Sequence, residues 1–99
     1  MKEIEEYIDK MEKVLNLEKE KDFPKGIINA STGIMDILSE ILTMVKSEND
    51  IKRLEKDVSA LIDSLVSNCE KGDQTAALGA MRQLRDKTRY FRYYLSQKK

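Results

Sequence analysis

Four arginines stand out near the end of the 99-residue chain: Arg82, Arg85, Arg89 and Arg92 recur at spacings of 3, 4 and 3, with Tyr90 and Tyr93 among them. On a helix that spacing lines the four guanidinium groups along one face. Each guanidinium offers a planar fork of N–H donors that matches carboxylate or phosphate oxygens. Tyrosine adds a rigid amphipathic ring that packs against a protein partner or stacks on a base. The chemistry on offer is recognition of an anionic, partly apolar surface rather than bond making.

The rest of the chain supplies little else that reacts. It has no His, which removes Ser–His and Cys–His nucleophile pairs, the usual imidazole base and most zinc and haem ligation. Cys69 is the single cysteine, so no intrachain disulfide can form, and it is expected to act as a small hydrophobe in the core. Carboxylate metal sites in helical bundles combine Glu with Glu-x-x-His pairs. Asp36, Glu40 and Asp63 lie near apolar faces without that arrangement. Gly26, Gly33, Gly72 and Gly79 are scattered, so no phosphate-cradling loop is present. No metal, no cofactor and no catalytic residue are expected, and the protein reads as a non-enzyme.

The arginines and tyrosines need a scaffold, and apolar spacing predicts one. The length suits a single domain over residues 1–99, and a composition rich in Glu, Lys, Leu and Ile with one Pro reads as helical. A first helix over about 3–20 carries Ile4, Ile8, Met11 and Leu15, widened by Tyr7 and Val14, and runs into the charged segment from Glu18 to Asp22. A second, over about 24–46, starts at Asp22-Phe23-Pro24, with Asp suited to cap and Pro to the first turn. Ile27, Ile28, Ile34, Ile37, Leu38, Ile41, Leu42 and Val45 make it the most apolar helix and the one expected to be most buried, with a break near Ser31 allowed by Gly26, Asn29 and Gly33.

A third helix over about 48–71 opens on Ser47-Glu48-Asn49-Asp50, a capping box with Asp in place of Glu, and carries Ile51, Leu54, Val58, Leu61 and Leu65. Gly72 is placed to end it, and Asp73 to cap a fourth helix over about 74–96 on the seam Ala77, Met81, Leu84, Thr88, Phe91 and Leu95. Short links between helices of this length favour an all-α, antiparallel up-down-up-down four-helix bundle. The alternative is a three-helix core with the N-terminal helix docked or exchanged in a dimer. The stretch from Ile34 to Val45 is interrupted by Asp36, Ser39, Glu40 and Thr43, too short and polar to span a bilayer. The start, Met1 to Glu6, is acidic where a targeting segment is basic and then apolar, so a cytoplasmic protein is expected.

Charge is balanced overall, at 18 basic and 18 acidic side chains, but not along the chain. Residues 74–99 hold seven basic and one acidic side chain, and every earlier quarter is net acidic. At about 100° per residue the arginine face flanks the apolar seam of the fourth helix, and Tyr90 and Tyr93 point away from the core. If the first and fourth helices are neighbours, Glu5, Asp9 and Glu12 can pair with Arg92, Arg89 and Arg85. Otherwise Arg82, Arg85, Arg89, Tyr90, Arg92 and Tyr93 form a surface for a protein partner or for self-association. The alternative is nucleic-acid binding through the same face with Lys98 and Lys99, which the zero net charge and Asp86 within the stripe argue against.

Overall fold

A computed structural model describes residues 2–98, and among them the chain forms four α-helices and no strand. These are α1 (Lys2–Glu20), α2 (Lys25–Met44), α3 (Glu48–Lys71) and α4 (Gln74–Gln97). They pack as a four-helix bundle 42 × 21 × 17 Å in extent. Helix α1 belongs fully to it, since Ile4, Tyr7, Met11 and Val14 are buried in the same core as Leu38, Leu54 and Leu84.

Helix ends are set by local chemistry. Gly72 adopts the left-handed conformation (φ 73°), so that the Asp73 N–H reaches the Asn68 carbonyl (3.0 Å) and closes α3. The Asp73 carboxylate then accepts from the Ala76 N–H (3.0 Å) and starts α4. At the first link the same motif closes α1, with the Phe23 N–H on the Glu18 carbonyl (2.8 Å) and buried Phe23 packed behind it. Here the left-handed residue is Asp22 (φ 60°). Asp22 therefore terminates α1 and does not cap α2, whose N-cap residue is Pro24, which makes no side-chain cap bond. Asp tolerates this conformation less well than Gly, so Asp22→Gly is expected to raise stability by a few tenths to about 1 kcal/mol, read by thermal unfolding. A fall in stability would contradict the assignment.

The spatial order of the helices differs from the simplest one. Helix α1 touches α2 and α3, and α4 touches α3 and α2, while α1 and α4 make no contact among the described residues. Cross-helix partners keep a nearly constant offset within each pair of helices: Tyr7 with Ser59 and Lys10 with Asp63, Ser31 with Met81 and Glu40 with Arg92. Pairs with such an offset run parallel, α1 beside α3 and α2 beside α4. The link Val45-Lys46-Ser47 crosses the bundle end diagonally, with Val45 extended and buried beneath it. The four Cα–Cα steps from Met44 to Glu48 reach about 13 Å when extended, enough for the diagonal between helices whose neighbours stand about 8–10 Å apart. The expected pairing of Glu5, Asp9 and Glu12 with Arg92, Arg89 and Arg85 inside one chain is thereby ruled out.

Two further expectations are corrected. The buried row of α1 is Ile4, Tyr7, Met11, Val14 and Glu18, with Ile8 and Leu15 half-buried at its edge. Helix α2 is unbroken from Lys25 but is not the most buried: it buries five residues where α3 and α4 each bury seven. Its apolar residues cover a wider arc than one corner of a bundle can hide, leaving Ile27, Ile28, Met35, Leu42 and Met44 half-exposed. By length and composition alone α2 is apolar enough to cross a membrane, yet Ile34, Leu38 and Ile41 are fully buried in the bundle.

Glu18 is the unexpected member of the core. It is fully buried, and Ser31 Oγ lies 3.1 Å from both its Oε2 and Met81 Sδ. The single hydroxyl proton serves the better acceptor, the carboxyl oxygen. Glu18 Oε1 has no hydrogen-bond partner among the described residues. Burial pushes the carboxyl up to about 7, only partly offset by the Ser31 bond. Cys69 is buried as expected, its thiol pushed up to about 12 by burial and then by the charge on Glu18.

Candidate interaction surface

All six seam residues expected on α4, Ala77, Met81, Leu84, Thr88, Phe91 and Leu95, are buried, and this fixes where its other side chains point. The arginine face turns toward α2. There a depression of about 360 Å³ is bordered by Asn29, Gly33, Asp36 and Glu40 from α2 and by Arg85, Arg89 and Arg92 from α4. A second hollow continues it toward the C-terminal end of α4, where Tyr93 and Ser96 join Glu40, Met44, Arg89 and Arg92.

The arginines are not equivalent. Arg92 Nη1 meets Glu40 Oε2 at 3.2 Å, an exposed pair across the α2/α4 groove. Arg85 is half-buried; its Nε lies 3.8 Å from Asp86 Oδ1, beyond hydrogen-bond range, so that donor is buried without an acceptor. Arg82 and Arg89 are exposed and carry no ion pair among the described residues. Tyr90 and Tyr93 are 64% and 63% exposed, the two large hydrophobic side chains most open to solvent. All six expected site residues thus lie along one helix, five of them (Arg82, Arg85, Arg89, Arg92 and Tyr93) on its α2-facing and outer sides. Tyr90 looks out from the opposite shoulder.

Tyr94, one residue on, belongs to a different structure. Its ring lies beneath the Arg53 guanidinium (4.2 Å to the centroid) and 5.8 Å from the Phe91 ring. Its hydroxyl donates to Asp50 Oδ1 (3.4 Å), and Lys98 Nζ sits 2.9 Å from Asp50 Oδ2. The Asp50 backbone N–H does reach Ser47 Oγ (3.3 Å), but the Asp50 carboxylate serves this end cluster. Burial pushes the Asp50 carboxyl up, while Lys98, Ser47 and Tyr94 more than offset it, leaving it below its ordinary value. Lys98, expected in the basic surface, is committed to Asp50, and Lys99 lies outside the described residues.

Sequence reading missed Glu40, Asp36 and Asn29 as parts of this surface because the α2–α4 adjacency follows from the diagonal link. What the arrangement offers is unspent guanidinium donors beside two exposed aromatic rings, with acidic side chains along the far wall of the groove. Among the described residues no three His, Cys, Asp or Glu side chains are placed to hold a metal ion together. Compared with protein-family models, with curated proteins and with solved structures, the chain matches none.

Proposed function

We propose that this protein is a non-catalytic protein–protein interaction module (an adaptor, regulator, assembly subunit or chaperone) that binds its partner through the Arg/Tyr face of α4. The observation that carries this reading is the exposure of Tyr90 and Tyr93 on the helix whose Arg82 and Arg89 are exposed and carry no ion pair among the described residues. Solvent-exposed tyrosine rings gain nothing for the fold, whereas Tyr and Arg are the residue types that anchor binding interfaces. Asp36 and Glu40 along the groove disfavour a polyphosphate backbone and suit a partner of mixed charge.

The test is a pull-down from lysate of the source cells, with nuclease treatment, comparing wild type with a variant carrying Glu at Arg82, Arg85, Arg89 and Arg92. A nuclease-resistant protein band that the variant loses is the expected result. Loss of a nucleic-acid signal instead, or bands unchanged by the substitutions, would overturn it.

A further inference from the structure

We infer that the partner of the α4 surface is a second copy of this chain, docked head-to-tail so that α4 of one protomer lies across the α1/α2 face of the next. This rests on the α4 reading above and names its occupant. The two faces carry matching charge at matching spacing. Glu5, Asp9 and Glu12 recur at 4 and 3 on α1, as Arg85, Arg89 and Arg92 do on α4. The three carboxylates are exposed and have no ion-pair partner among the described residues.

The levels along the bundle match as well. Glu18, Ser31 and Met81 meet at one height, and α1 runs opposite to α2 and α4. Stepping equally from that height sets Glu5, Asp9 and Glu12 level with Tyr94, Tyr90 and Lys87. Each level lies within one or two residues of Arg92, Arg89 and Arg85, about 1.5–3 Å along the axis at the helical rise. A neighbour shifted sideways and turned about the bundle axis, with almost no sliding, therefore sets its acidic row antiparallel to the basic one. Within one chain this cannot happen, because α1 and α4 occupy opposite corners.

Apolar surface accompanies the charge. Lys10 reaches Asp63 on α3, and Ile8 and Leu15 fall on the other edge of α1, toward α2. On α2 the edge away from α4 carries Ile28, Met35 and Leu42, two turns apart. These five half-buried side chains give Tyr93 of the neighbour, at the outer edge of the arginine row, an apolar bed beside the acidic row. Because the two faces differ, the contact is heterologous and extends into a chain or closes as a ring, not as a two-fold dimer.

Light scattering on the full chain tests this at protein concentrations up to about 1 mM, the weak end of the affinity scale. At about 20 mM salt the wild-type mass is expected to rise with concentration above the 11.5 kDa of one chain, and about 500 mM salt weakens the association at least tenfold. E5K/D9K/E12K and R85Q/R89Q/R92Q are each expected to stay monomeric. Mixed, they form a 1:1 complex of twice the monomer mass and nothing larger, since each keeps one intact face. Circular dichroism verifies that each variant folds; should the arginine variant not fold, Y90A/Y93A replaces it. A wild-type mass fixed at 11.5 kDa, or a mixture that stays monomeric, overturns the second copy as partner. The α4 reading then still stands if the pull-down band is lost on charge reversal, and falls with it if that band is unchanged.

Discussion

Glu18→Gln is expected to stabilise the protein at pH 8 relative to its effect at pH 4.5 by about 3 kcal/mol. The carboxyl is fully buried, and its value is raised from 4.5 to about 7, first by desolvation. Its surroundings from the other three helices are Ser31, Cys69 and Met81, none of them a cation. A group raised on folding binds its proton more tightly in the folded state, so its favourable contribution is complete below pH 4.5 and is lost as pH rises through 7. Above that the fold must hold a buried carboxylate with one oxygen unpaired. Gln keeps the shape and cannot ionise. Urea unfolding of both proteins at pH 4.5 and pH 8 measures the difference between them at each pH, and parallel profiles would contradict the account. Asp50 acts with the opposite sign: its lowered value makes its contribution present above 3.8 and lost as pH falls further. Wild-type stability is therefore expected to peak between these two windows.

The second large effect is on binding, and neighbouring tyrosines separate it from folding. Replacing Tyr90 and Tyr93 by Ala is expected to weaken partner association by about 30-fold or more, the range of an interface anchor, with stability changed by no more than about 0.5 kcal/mol. Both rings are largely in solvent, so the fold loses little with them. Tyr94→Ala is expected to do the reverse. It removes the hydroxyl bond to Asp50 and the Arg53 contact, together about 1–2 kcal/mol of stability, and leaves the outer face of α4 intact. Titration of the purified partner and thermal unfolding read the two quantities separately. Equal losses of affinity from both changes would show that α4 matters only as a folded helix.

How much of this was legible in the sequence follows from which pattern had a single solution. The α4 seam had one, since no other row of apolar residues competes with Ala77 to Leu95, and the outward aim of Tyr90 and Tyr93 came with it. On α1 two rows fit the helical period, one through Ile8 and Leu15 and one through Tyr7 and Val14. The second is the one buried, and it continues into Glu18, a carboxyl that is not recognisable as a core residue from its type. The neighbours of the arginines were not legible at all. Whether they face Glu40 of α2 or the acidic row of α1 depends on three link residues crossing a diagonal, and apolar periodicity is silent about that choice. Asp22 hid for a different reason: Asp before Pro resembles a helix cap, while its left-handed backbone depends on how Phe23 is buried.

Site-specific photo-crosslinking tests whether the outer face of α4 is where this protein meets a partner, as proposed above. A photoreactive phenylalanine analogue is placed at Tyr93 in the full chain, and at exposed Lys56 on α3 as the comparison, and cells are irradiated. A nuclease-resistant protein adduct from position 93 and none from position 56 is expected, with a species of twice 11.5 kDa identifying a second copy. Adducts of equal yield from both positions, or an adduct at 93 that nuclease removes, would contradict it.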